Sequence, residues 1–70
     1  MIAIKNIRET RGLTQVELAI RANATQQAIS NYETGYRLPN IHTLKRIAKA
    51  LNVTVDELLK DSDNEHSKES

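Results

Sequence analysis

The stretch LTQVELAIRANATQQAISNYETG, Leu13 to Gly35, contains two helix starts and two helix stops. Thr14 is followed three residues later by Glu17. That spacing predicts a capping box, in which the Thr hydroxyl and the Glu carboxylate each take a backbone N–H left free at a helix start. Leu18, Ala19 and Ala22 share one face, the inner face of a short helix. Asn23 falls where the chain has to turn, and asparagine tolerates left-handed backbone best after glycine. Thr25 is the next cap, and a second helix ends near Glu33, ahead of Gly35.

The same punctuation continues outward. Upstream, a helix is expected from about Ile2 to Arg11, with Ile4 and Ile7 inward and a stop at Gly12. Downstream, Thr34 to Pro39 reads as a loop, since Pro39 disfavours helical backbone at Leu38. Asn40 caps a fourth helix whose apolar stripe is Ile41, Leu44, Ile47, Ala48 and Leu51. Thr54 and Glu57 repeat the capping-box spacing, and Leu58 and Leu59 tuck a fifth helix onto the core. No internal repeat and no strand alternation is present. The reading is all-α: a compact five-helix domain over residues 1–60, with a polar tail, 61–70, that lacks any apolar residue and is expected to be disordered.

Composition bounds the rest. Seventy residues make one small domain, and without cysteine no disulfide staples it. With no Phe or Trp the core must come from Ile, Leu, Val and Ala, which suits closely packed small helices. The absence of cysteine fits a reducing compartment, and the N-terminal MIAIKNIRE is too short in apolar run for a signal peptide or a membrane span, so a cytoplasmic location is expected. The net charge of +1 conceals an asymmetry. Residues 1–55 carry eight Lys/Arg against three Glu, and residues 56–70 carry two Lys against six Asp/Glu. A basic body with an acidic end is compatible with a polyanionic partner.

The outward arc of the third helix is unusual. At 100° per residue, Gln26, Gln27, Ser30 and Asn31 fall on one arc, and Ala28, Ile29 and Tyr32 fall on the other. The polar arc is uncharged and rich in groups that both donate and accept. It is either a plain solvated face or a face that reads base edges, for which Gln and Asn amides suit N6 and N7 of adenine. Two short helices joined through Ala22–Ala24 form a helix-turn-helix arrangement.

Residues 13–59, LTQVELAIRANATQQAISNYETGYRLPNIHTLKRIAKALNVTVDELL, resemble the Cro/repressor type of helix-turn-helix domain, the Xre family, in one unbroken register. The motifs are LTQ-x-EL-A, the Thr-Gln-Gln start of helix 3, I-S-x-Y-E-x-G and LP-x-x-x-TL-x-x-IA-x-AL-x-V. The Thr-Gln-Gln start is similar to that of lambdoid-phage repressors. The resemblance implies a lambda-repressor-like fold with helix 3 in the major groove of double-stranded DNA. It implies base contacts from Gln26, Gln27 and Asn31, with Ser30 nearby, and a methyl or phosphate contact from Thr25. Backbone contacts are implied for Gln15 at the start of helix 2 and for the loop Tyr36–Asn40, with Arg37 first and Tyr36 second. The free N–H groups and positive dipole end of a helix N-terminus agree with a phosphate near Gln15. The family also pairs Glu33 with a helix 1 arginine, here Arg8, as a structural ion pair. Asn23-Ala24 replaces the commoner Gly-Val of the turn, and Val16 and Ile20 stand where charged residues are usual. Those two are either a small partner patch or scattered surface apolars.

No other constellation carries chemistry. His42 and His66 lack a spacing that would hold a metal, and no nucleophile–base set or Gly-rich phosphate loop is present, so neither a cofactor nor an enzymatic activity is expected. Lys45, Arg46 and Lys49 with His42 read as a solvated side of helix 4. The expectation is a transcriptional regulator, a repressor acting as a homodimer on an inverted repeat. Phage or mobile-element repressors, restriction–modification controllers and antitoxin-type autoregulators all fit the size. The alternative is a protein–protein interaction module on the same fold, such as a coactivator bridge or a partner-neutralising antitoxin.

Overall fold

The computed structural model describes residues 2–59. The polar tail expected over 61–70 lies outside them, as does Lys60. Five helices follow in order: α1 (Ile4–Thr10), α2 (Gln15–Arg21), α3 (Gln26–Thr34), α4 (Ile41–Leu51) and α5, helical over residues 55–59. The described residues contain no strand.

Side-chain caps open four of the five. Thr14 and Glu17 form the full capping box at α2, Thr25 Oγ1 accepts from Ala28 N at α3, and Asn40 Oδ1 accepts from Thr43 N at α4. Thr54 and Glu57 bond reciprocally at α5. α1 is the exception and starts two residues later than its apolar pattern suggests. Ala3 N donates instead to Leu58 O at 2.8 Å, which ties the chain to α5 before it coils.

The stops of α1, α2 and α4 share one device. Gly12, Asn23 and Asn52 have φ of 75°, 56° and 60°. In each case the next residue's N–H reaches back five positions, Leu13 N to Arg8 O, Ala24 N to Ala19 O and Val53 N to Ala48 O. These bonds satisfy carbonyls that the helix end leaves free. Asn23 therefore does in the α2–α3 turn what a glycine would do. Asn52, directly after the last residue of the α4 stripe, was readable by the same rule.

The core is aliphatic. Ile4, Leu18, Ile29, Ile47, Leu51 and Leu58 are fully buried, one or two from each helix, and Ala19, Ala22 and Ala48 let the helices approach closely. α2 packs on both α3 and α4, and α1 packs on α3. Each buried aliphatic chain contributes about 1.5–3 kcal/mol, which is how helices of five to eleven residues persist when none could alone. One residue of the α4 stripe departs from expectation: Ile41 is 52% exposed. It is the first residue of α4, before the helix has met α2.

The α2 cap titrates. The Thr14 backbone N–H, bonded to Glu17 Oε1 at 2.8 Å, holds the Glu17 carboxyl below its ordinary range, helped by the Thr14 hydroxyl and by Arg21 against slight desolvation. A depressed carboxylate stabilises the fold above its unfolded pKa, about 4.3, and loses that contribution as pH falls through the lower folded value. Glu17→Gln keeps the cap without the charge. Urea melts at a series of pH values should show a small stability gap between wild type and Glu17→Gln at pH 7 that closes on acidification below about pH 4. A gap independent of pH would remove this role for the charge.

Candidate nucleic-acid interface

α3 has two separate sides. Ile29 is fully buried, Tyr32 packs at the edge of the core, Ala28 is half-buried, and Gln26 and Gln27 stand exposed. Ser30 and Asn31 are half-buried, nearer the core than their wheel position suggests. Gln27 Nε2 donates to Asn31 Oδ1 at 3.1 Å, one turn on. That bond orients Gln27 while leaving it one N–H and its Oε1, a donor and an acceptor side by side. Among the described residues, α3 has no basic side chain in its last turn and no acidic one in its first.

The side chains flanking α3 are partly spoken for. The Thr25 hydroxyl oxygen accepts the Ala28 N–H, leaving its own O–H and its methyl. Asn40 gives its oxygen to Thr43 N and retains its NH2. Tyr36 is largely exposed in the loop after Gly35, with the Arg37 guanidinium 6.0 Å from its ring centre, and Arg37 N donates to Asn31 O at 3.2 Å. The loop is thus tied to the middle of α3, and the two cation and aromatic groups share one exposed site.

Behind these groups lies an ionic network. Arg8 Nε donates to Glu33 Oε2 at 2.6 Å and Nη2 to Oε1 at 3.2 Å, a two-pronged pair. Arg8 Nη1 donates to Leu13 O at 2.7 Å. The Glu33 side chain is 4% exposed, and its bonds hold the Arg8 guanidinium above its already high pKa, against desolvation. Glu33 Oε1 also accepts from Gln15 Nε2 at 2.9 Å. Sequence reasoning assigned Gln15 to DNA backbone alone. In the structure its amide is held by α3, with one N–H left over. No buried side-chain polar atom is unsatisfied among the described residues.

Elsewhere, Arg46 lies on the exposed side of α4 as expected, and it also makes structural bonds. Its Nε donates to Ala22 O at 2.9 Å and Nη2 to Thr43 Oγ1 at 3.3 Å, which fastens α4 to the end of α2. Arg11 Nε likewise donates to Leu51 O at the end of α4. Val16 and Ile20 are exposed, Ile20 at 74%. Leu58 is fully buried, and Val53, Val55 and Leu59 pack against the same core. The described residues contain no cluster able to hold a metal ion and no helix long and apolar enough to cross a membrane.

Comparison with known proteins bears on this geometry. A helix-turn-helix family model matches residues 4–58. The chain is 41% identical over 56 residues to the HTH-type transcriptional activator BcrR of Enterococcus faecalis, covering 80% of this chain and 28% of that protein. It is 39% identical over 56 residues to the HTH-type transcriptional regulator ImmR of Bacillus subtilis, 80% of this chain and 44% of that protein. It is also 39% identical over 51 residues to multiprotein-bridging factor 1 of Candida albicans, 73% of this chain and 34% of that protein. The chain thus spans less than half the length of these relatives. With α2 and α3 packed across the Asn23 turn and the family match running through all five helices, the chain belongs to the Xre-type helix-turn-helix family.

Proposed function

We propose that the domain is a sequence-specific reader of double-stranded DNA and acts as a repressor, with α3 in the major groove. Two copies bind an inverted repeat whose half-sites lie about one helical turn, roughly 34 Å, apart. The observation that carries this reading is the exposed, uncharged arc of α3, where Gln27 is oriented by Asn31. A solvated face has no need of such order, and Lys or Glu would serve it better. Gln26 and Gln27 read base edges, with Ser30 and Asn31 beside them. Gln15, Thr25, Tyr36, Arg37 and Asn40 hold phosphates or a thymine methyl, setting the register of α3.

In vitro selection of duplexes from a random pool tests all of this together. The expected result is enrichment of a palindrome with half-site centres one turn apart. A pool that stays random after successive rounds would overturn DNA reading, and an enriched single half-site would overturn the dimer.

A second reading is a protein–protein module. Val16 and Ile20, one turn apart on α2 and exposed, favour it, as does similarity to a protein named as a bridging factor. It gains if the selection fails while the double substitution Val16→Ser, Ile20→Ser leaves the fold intact and abolishes function in the cell.

A further inference from the structure

The described residues carry a second basic site that the DNA reading does not use. Arg21 at the end of α2, Arg46 and Lys49 on α4, and Asn23 in the turn surround an open cleft of about 470 Å³ floored by Ala22 and Ala50. No carboxylate among the described residues lies within 4 Å of Arg21, Arg46 or Lys49. Three cations therefore line one concavity without an ion-paired carboxylate, Glu17 acting on Arg21 only through its field from one turn earlier on α2. We infer that this cleft binds a phosphate group.

Three features support phosphate chemistry. The Arg46 guanidinium is fixed in advance by its bonds to Ala22 O and Thr43 Oγ1, which use two of its five N–H groups and leave three. Two arginines present planar forks that match the oxygens of a tetrahedral anion, and Lys49 adds a point charge one turn along α4 from Arg46. The alanine floor and the aliphatic stems of the three cations keep the wall apolar, which strengthens each contact relative to open water. The site joins the C-terminus of α2 and the turn before α3 to α4. An anion there braces the support of the reading helix from behind.

The source of the phosphate is a free phosphorylated ion or the backbone of DNA, and the experiment separates them. Pyrophosphate is titrated into the full chain at constant ionic strength while the amide resonances of Ala22, Asn23 and Ala50 are followed. Saturable shifts are expected at these amides, with acetate at equal ionic strength leaving them unmoved. The double variant Arg21→Gln, Lys49→Gln, which changes only exposed side chains and leaves Arg46 in place, binds about ten-fold more weakly, and Lys45→Gln, outside the cleft, binds as wild type does. Absence of saturable shifts, equal response to acetate, or equal affinity of the double variant and Lys45→Gln overturns the site. The source follows from adding a random-sequence duplex. If the duplex displaces pyrophosphate and the double variant has a salt slope shallower by about two, the phosphate belongs to DNA. If pyrophosphate and duplex bind together, it belongs to a free ion.

Discussion

Arg8→Ala should lower the stability of this domain by about 3 kcal/mol or more, because it strands a buried carboxylate. For a chain of this length that is a fall in Tm of roughly 12–24 °C. Removing the guanidinium takes both prongs from Glu33, whose side chain is 4% exposed, and leaves Leu13 O without its side-chain donor. Among the described residues Gln15 remains as the only other side chain bonded to Glu33, and a neutral amide does not replace a cation. The comparator is Lys5→Ala, three residues earlier on the exposed side of α1, where the change should stay within about 0.5 kcal/mol. Thermal melts followed by circular dichroism decide it: equal melting temperatures for the two variants would sink the pairing. A cycle with Glu33→Ala sharpens the test, since two residues in direct contact should couple rather than add.

The second large effect concerns specificity. Gln27→Ala should reduce discrimination between the selected sequence and its single-base variants by about 1–3 kcal/mol at one position of each half-site, the worth of a two-bond contact between an amide and a base. Folding should be unaffected, because Gln27 is exposed and, among the described residues, its side chain bonds only to Asn31. Arg37→Ala should behave in the opposite way, weakening all sequences alike and making the salt slope shallower by about one. Quantitative binding to a panel of duplexes at several salt concentrations separates the two. If Gln27→Ala weakens every duplex equally, Gln27 is not a base reader.

What the sequence shows about this chain is whatever is local. Thr14 and Glu17, Thr25, Asn40, and Thr54 and Glu57 mark helix starts because a cap and its partner lie within three residues. Asn23 is legible for a similar reason, since one residue alone determines whether a left-handed turn is tolerated. The long-range ties were not legible. Gln15 to Glu33, Arg46 to Ala22 and Arg11 to Leu51 span 18, 24 and 40 residues, and each involves a side chain that composition alone would leave in solvent. Two of the three end on backbone carbonyls, which have no residue-type signal. Arg8–Glu33, at a separation of 25, was accessible only through resemblance to a family. Ile41 shows a different limit, since periodicity identifies the apolar stripe of α4 but not how far along the helix the neighbouring elements reach.

The separation of the two sides of α3 has an evolutionary consequence. Ile29 and Glu33 hold the helix, while Gln26 and Gln27 stand exposed, Gln27 bonded to Asn31. Substitutions at the two glutamines are then close to neutral for folding, within about 0.5 kcal/mol. Under the proposed reading, a duplicated copy of this gene could drift from one operator to another a residue at a time, without passing through an unfolded ancestor. Ile29 and the Arg8–Glu33 pair offer no such freedom, so divergence among descendants should concentrate on the outward arc.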